Sequence, residues 1–300
     1  MRNWIFIISL LIIACQNTNE TNQTPTIVCT TGMIKDMVQQ IVDDKVDVIG
    51  LMGPGVDPHL YKATSQDIQN LKNAKAIVYN GLHLEGKMQN VLESMSANHP
   101  IHAIGDHIPQ NLLIKNSAFA GTHDPHIWFD VHIWMEATKS TIAFLTQTFP
   151  EHQAAFQVNG EKYLQELSDL DQWIKDQMNQ LPVNQRHLVT AHDAFEYYGK
   201  AYQINVRGLQ GISTVTEFGI KDVTELVNFL KENEVKSIFI ESSISDRSLR
   251  KVIEASESVG HQVKIGGELF SDAMGPANTP EGTYIGMVKH NTNTIVKGLK

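Results

Sequence analysis

The chemistry-bearing residues of this chain recur in one pattern, an acid, a proline and an imidazole: Asp57-Pro58-His59 and again Asp124-Pro125-His126. Proline fixes its own φ and pushes the preceding residue into an extended conformation. Each triplet therefore delivers a stiffly held imidazole at a loop end rather than inside a helix. Two more candidates lie downstream. His192 directly follows the apolar run Leu188-Val189-Thr190-Ala191, and Asp272 lies in a loop with glycines at both ends, Gly266-Gly267 and Gly275. Imidazoles and a carboxylate are the donor set of zinc and neighbouring divalent ions. From the residues alone a blander reading stands beside this one. Thirteen histidines will sometimes fall after Asp-Pro, a histidine at a strand exit is often a satisfied core residue, and a lone loop aspartate is often a cap.

Positioning these groups together requires sheet edges. The first half alternates strand and helix signals: Thr26–Thr30, an amphipathic stretch at Met33, Met37, Ile41 and Val42, then a strand over Val46–Met52 that ends in Gly53-Pro54-Gly55. Ser65–Asn73 reads as helix, Ala76–Tyr79 and Ile101–Ile104 as strands, and Trp128–Phe149 has helical spacing. From Pro150 to Leu181 the apolar positions Tyr163, Leu164, Leu167, Leu170, Ile174, Met178 and Leu181 predict one long helix. The second half repeats the alternation, with strands at Leu188–Ala191, Ile204–Gly208, Ser237–Ile240 and Val263–Ile265. Such alternation predicts parallel sheets covered by helices. Each late strand is followed by a polar candidate (His192, Gln210, Glu241, then Glu268 and Asp272), as expected of a site at the carboxyl ends of parallel strands. His187, at the other end of its strand, should face the opposite rim.

The ends and the composition bound the setting. Arg2 and the apolar run Trp4–Ala14 form a secretory signal too short to span a bilayer. Ile12-Ile13-Ala14-Cys15 resembles a bacterial lipobox, which implies cleavage before Cys15 and lipid on its sulfur. Residues 15–24 read as a flexible tether. With Cys15 acylated, Cys29 has no partner for an intrachain disulfide. A net charge of −9 and the absence of any Lys/Arg run argue against nucleic acid as a partner. The length predicts two domains, a lobe over 25–149, a linking helix over 150–181 and a lobe over 182–300.

Six strings carry a resemblance: GLMGPGVDPHLYKAT (50–64), DPHIWFDV (124–131), LVTAHDAFEYY (188–198), GLQGISTVTE (208–217), IFIESSI (238–244) and GGELFSDAMG (266–275). Together with EGTYIGMVKHNTNTIV (281–296) they resemble the cluster A-I solute-binding lipoproteins of metal-ion ABC importers, the TroA-like zinc and manganese receptors. The resemblance implies two α/β lobes, each with a parallel sheet flanked by helices, joined by one long helix. It implies one Zn²⁺ or Mn²⁺ per chain in the cleft, held by His59, His126, His192 and Asp272, with Glu217 and Glu241 behind the ligands. The implied partners are the ion, a membrane permease and the membrane itself through the lipid. The protein would be a monomer, periplasmic or at the cell surface. Manganese-dedicated relatives carry Glu where this chain has His192, and zinc scavengers carry a long His-rich loop that is here only Ser117–His123.

Two other functions compete. A zinc hydrolase would need an open coordination position, whereas four protein ligands close the site. No His-Glu-x-x-His helix, nucleophile elbow or phosphate loop occurs. A surface adhesin is the third class, and nothing in the sequence separates it from transport. The expectation is a receptor, not an enzyme. Three imidazoles that must be neutral to bind predict affinity falling steeply below roughly pH 6.

Overall fold

The computed structural model describes residues 25–116, 121–215 and 218–300. The signal segment, Cys15, the tether and Glu217 lie outside the described residues. The first half forms a four-stranded parallel sheet from β1 (Thr26–Cys29), β2 (Asp47–Gly50), β3 (Ala76–Tyr79) and β4 (Ile101–Ala103), in the order β2-β1-β3-β4. Successive side chains of a strand face opposite ways, and the burial follows that rule. Ile27, Cys29, Ala76 and Val78 join one core, while Val28 and Ile77 join a second with Leu71 and Leu92. The first face is covered by α1 (Gly32–Val42) and α4 (Val131–Thr148), the second by α2 (Ser65–Asn73) and α3 (Gln89–Met95). The helix expected from Trp128 starts later. Ile127–Phe129 is a 3₁₀ turn, and Asp130 caps α4 by accepting from the His132 and Ile133 amides at 2.9 and 3.4 Å.

The second half contains β5 (His187–His192), β6 (Asn205–Gln210), β7 (Ser237–Glu241) and β8 (Lys264–Leu269). They pair as two parallel ladders, β5–β6 and β7–β8, with β5 beside β7 and a register shift at Ile238/Phe239. Helices α7 (Ile220–Glu232) and α8 (Arg247–Ser258) cover the face carrying Val189, Ala191 and Ile238. The other face carries Leu188 and Phe239 and meets α6 (Glu196–Tyr202) and α9 (Tyr284–Leu299).

Between the halves runs α5 (Gln153–Met178), 26 residues and therefore about 39 Å long. It begins after a 3₁₀ turn at Pro150–His152 and ends before Leu181, so it is shorter at both ends than the helix expected over 150–181. Gly160 lies inside it without breaking it. A Cβ there would run into the Ile142 side chain of α4, so glycine favours the close approach of the two helices. The buried stripe of Phe156, Tyr163, Leu167, Leu170, Ile174 and Met178 belongs to one core shared by both lobes. α9 adds a second tie, because the Tyr284 amide donates to Asp36 (3.0 Å) and its hydroxyl donates to the Trp128 carbonyl (2.7 Å). A continuous core across an unbroken helix resists hinge bending. Solution scattering profiles of metal-free and zinc-loaded protein should therefore nearly superimpose. A clear fall in radius of gyration on adding zinc would show that α5 is no rigid spine.

Candidate metal centre

His59 lies in the loop after β2, and His126 stands just ahead of the 3₁₀ turn at Ile127–Phe129. His192 is the last residue of β5, and Asp272 lies three residues past β8. All four thus stand where loops leave the carboxyl side of the sheets. They are buried, and one ligand atom from each lies within 4.8 Å of the others. His59 Nε2 is 3.3 Å from His126 Nε2 and 3.6 Å from Asp272 Oδ2. His126 Nε2 is 3.5 Å from Asp272 Oδ1, and His192 Nε2 is 3.3 Å from Asp272 Oδ2. A tetrahedron with metal–ligand bonds of about 2.1 Å has edges of about 3.4 Å, so these separations fit one small ion. His192 Nε2 and both Asp272 oxygens find no hydrogen-bond partner, close as they are. Buried polar atoms are rarely left so, and here they converge on one point. Asp272 can offer one oxygen or both, giving four or five donors.

The local sequence explains the placement. In both triplets the aspartate side chain closes a turn onto the histidine two residues on: Asp57 Oδ1 accepts from the His59 amide (2.8 Å) and Asp124 Oδ1 from the His126 amide (2.9 Å). Asp124 Oδ1 also bonds His126 Nδ1 at 2.6 Å, and Glu241 Oε2 bonds His192 Nδ1 at 2.6 Å. These carboxylates leave Nε2 of each ring to face the cluster and raise its basicity. Glu241 Oε1 additionally accepts from the His192 amide at 2.9 Å. The bracing role of Asp124 was missed from sequence, although an acid two residues before a candidate ligand is a usable signal. The Asp272 loop is fixed from both lobes, since Trp128 Nε1 donates to the Ser271 carbonyl (3.1 Å) and Asn291 clamps both backbone groups of Phe270 (2.9 and 2.7 Å).

Other sequence candidates stay apart. Gln210 pairs in register with His192, but neither it nor Glu268, which is exposed, belongs to the cluster. His187 opens β5 at the opposite rim, as expected.

Burial shapes the titration of the group. It pushes His59 down to about 3, because a charged ring there loses its water. Burial also opposes charge on His192, yet the Glu241 and Asp272 carboxylates outweigh it and hold the imidazole well above its usual value. Asp272 would be raised by burial alone, but the three imidazoles, His192 foremost, hold it well below the usual carboxylate range. With an ion bound, its two positive charges would face the carboxylates of Asp272, Asp124 and Glu241 and offset most of their negative charge.

Residues 27–298 match the model of a family described as the zinc-uptake complex component A, periplasmic (ZnuA). The chain belongs to the ZnuA family. Among ZnuA-family relatives, the manganese-binding lipoprotein MntA of Bacillus subtilis is 45% identical over 274 residues, covering 91% of this chain and 89% of that one. The zinc-binding protein TroA of Treponema pallidum is 45% identical over 277 residues, covering 92% and 89%. Its solved structure matches with a TM-score of 0.89 at 44% identity, over 92% of this chain and 99% of that chain. The manganese ABC transporter substrate-binding lipoprotein PsaA of Streptococcus pneumoniae is 26% identical over 304 residues, covering 98% and 96%. ZnuA-family proteins are solute-binding receptors of the cluster A-I type and not enzymes, which removes the hydrolase alternative.

Proposed function

We propose that this protein captures one divalent ion, zinc or manganese, outside the cytoplasm and delivers it to the membrane permease of an ABC importer. The observation that carries the reading is the convergence of His59, His126, His192 and Asp272 within 4.8 Å, buried and drawn from both halves of the chain. The manganese-binding lipoprotein MntA, the zinc-binding protein TroA and the manganese transporter lipoprotein PsaA point the same way. In this reading Asp124 and Glu241 orient two of the ligand rings. Lobes at 25–149 and 182–300 with the linking segment 150–181 remain our division of the chain. Three imidazoles favour zinc in raw affinity, and a carboxylate able to offer two oxygens accommodates manganese. Metal analysis of protein purified from its own host without added metal tests this. One zinc or manganese per chain is expected, and protein that arrives empty and takes up neither ion in titration would overturn it.

The protein works as a monomer anchored through lipid on Cys15, periplasmic or at the cell surface. No helix among the described residues is long and apolar enough to cross a membrane. Cys15→Ser should move the protein from the membrane fraction to the soluble fraction. Retention in the membrane with unchanged mobility would refute the anchor.

A further inference from the structure

The three imidazoles are not held alike. His126 and His192 each have a carboxylate on Nδ1, at 2.6 Å in both cases. Among the described residues no carboxylate oxygen bonds the Nδ1 of His59, whose place is set by its backbone turn onto Asp57. The two Asp-Pro-His triplets close the same turn, but their acids then diverge. Asp124 turns to the imidazole of its own triplet, whereas Asp57 Oδ2 accepts from Thr214 Oγ1 at 2.7 Å. Thr214 belongs to the segment between β6 and α7, in the other lobe. The same loop meets that lobe again at Gly55, where an added Cβ would lie 3.5 Å from the Ser242 carbonyl oxygen.

Asp57 and Thr214 are half-buried, whereas the four candidate ligands are buried. The bond between them is thus an outer tie over the cluster, joining the turn that places His59 to the opposite lobe. We infer that Thr214 is a positioning residue for retention of the ion. Its hydroxyl, through Asp57, holds the His59 turn closed on the site, and losing that bond lets the loop and its imidazole leave together. The inference rests on the metal-receptor reading above. A hydroxyl–carboxylate bond at this position should act on escape more than on entry, since changes within one binding site fall mostly on the dissociation rate. Loss of one hydrogen bond to a charged group corresponds to about a tenfold change.

The test uses the full chain loaded with zinc and mixed rapidly with excess chelator. Thr214→Val, which removes the hydroxyl at nearly constant volume, should release zinc about tenfold faster with an unchanged association rate. Thr214→Ser keeps the hydroxyl and should release near the unsubstituted rate. Asp57→Asn keeps an oxygen for the His59 turn but removes the charge facing Thr214, and should fall between. Release from Thr214→Val at the unsubstituted rate would overturn the inference, as would Thr214→Ser releasing as fast as Thr214→Val. An unsubstituted chain that takes up neither zinc nor manganese would instead overturn the receptor reading, and the tie with it. Equal thermal midpoints for the metal-free variants would show that a change in release is not loss of fold.

Discussion

Alanine at His59, His126, His192 or Asp272 should lower zinc affinity by more than about 100-fold each, while the metal-free chain stays folded. Loss of an outer partner of a ligand typically costs about 10–100-fold, and loss of a donor itself removes a coordinate bond. Glu241→Gln and Asp124→Asn, which keep shape and lose charge, should fall within that lower range. Asp272→Ala breaks no hydrogen bond of the Asp272 oxygens, whereas alanine at His126 or His192 removes a 2.6 Å bond to Asp124 or Glu241, so a thermal midpoint accompanies each variant. Competition against a fluorescent chelator reads all six variants. The control is His132→Ala, since His132 is exposed on α4 and outside the cluster. His99 and His261 do not serve as controls, since both are half-buried and bond the carbonyls of Lys72 (3.0 Å) and Val235 (2.8 Å). A control as damaging as a ligand variant would sink the assignment.

Zinc affinity should weaken about tenfold per pH unit as the pH falls toward 6.5, beginning well above the value at which a free histidine titrates. The sequence-based expectation was a three-proton loss below roughly pH 6, and the structure changes both the number and the window. His59 is pushed down to about 3 by burial, so it carries no proton to displace near neutrality. His192 is held protonated well above 6.5 by Glu241 and Asp272, against the effect of burial, so the incoming ion must displace that proton. The signs for the metal-free fold run oppositely. The raised His192 contributes stability that is present below about 6.5 and lost as pH rises through its folded value. The lowered His59 removes stability as pH falls from about 6.5 toward 3, because only the unfolded chain takes up that proton. Dye competition at fixed ionic strength between pH 6.5 and 8 measures the slope. A flat line there would show that His192 holds no displaceable proton.

Periodicity was readable wherever one element met one environment. Ser65–Asn73 and Ala76–Tyr79 agree with their sequence boundaries because a capping box at Thr64 and Asp67 and a fully apolar run delimit them locally. The start of α4 was misplaced by three residues, since Trp128 and Phe129 keep an apolar helical spacing while packing in a 3₁₀ turn. Only the preference of Asp130 for the cap position resolves that choice. The ends of α5 were also overextended. Its apolar stripe continues into Leu181, which is buried after the helix has ended.

The sequence flagged His59, His126, His192 and Asp272 as candidates, because Asp-Pro-His, a histidine closing an apolar run and a glycine-flanked loop are local signals, and the family resemblance implied that they form one set. Tertiary structure alone decided how His192 is held and what ties the His59 turn, since both depend on contacts between distant parts of the chain, whereas the Asp124 brace on His126 is local. Glu241 reaches His192 across 49 positions, and Thr214 reaches Asp57 across 157. It also decided the protonation of the site. His59 and His192 are the same residue type with the same intrinsic pKa, and they shift in opposite directions because burial dominates at one and two carboxylates at the other. Desolvation and Coulomb terms depend on distances in space, and sequence separation does not encode those.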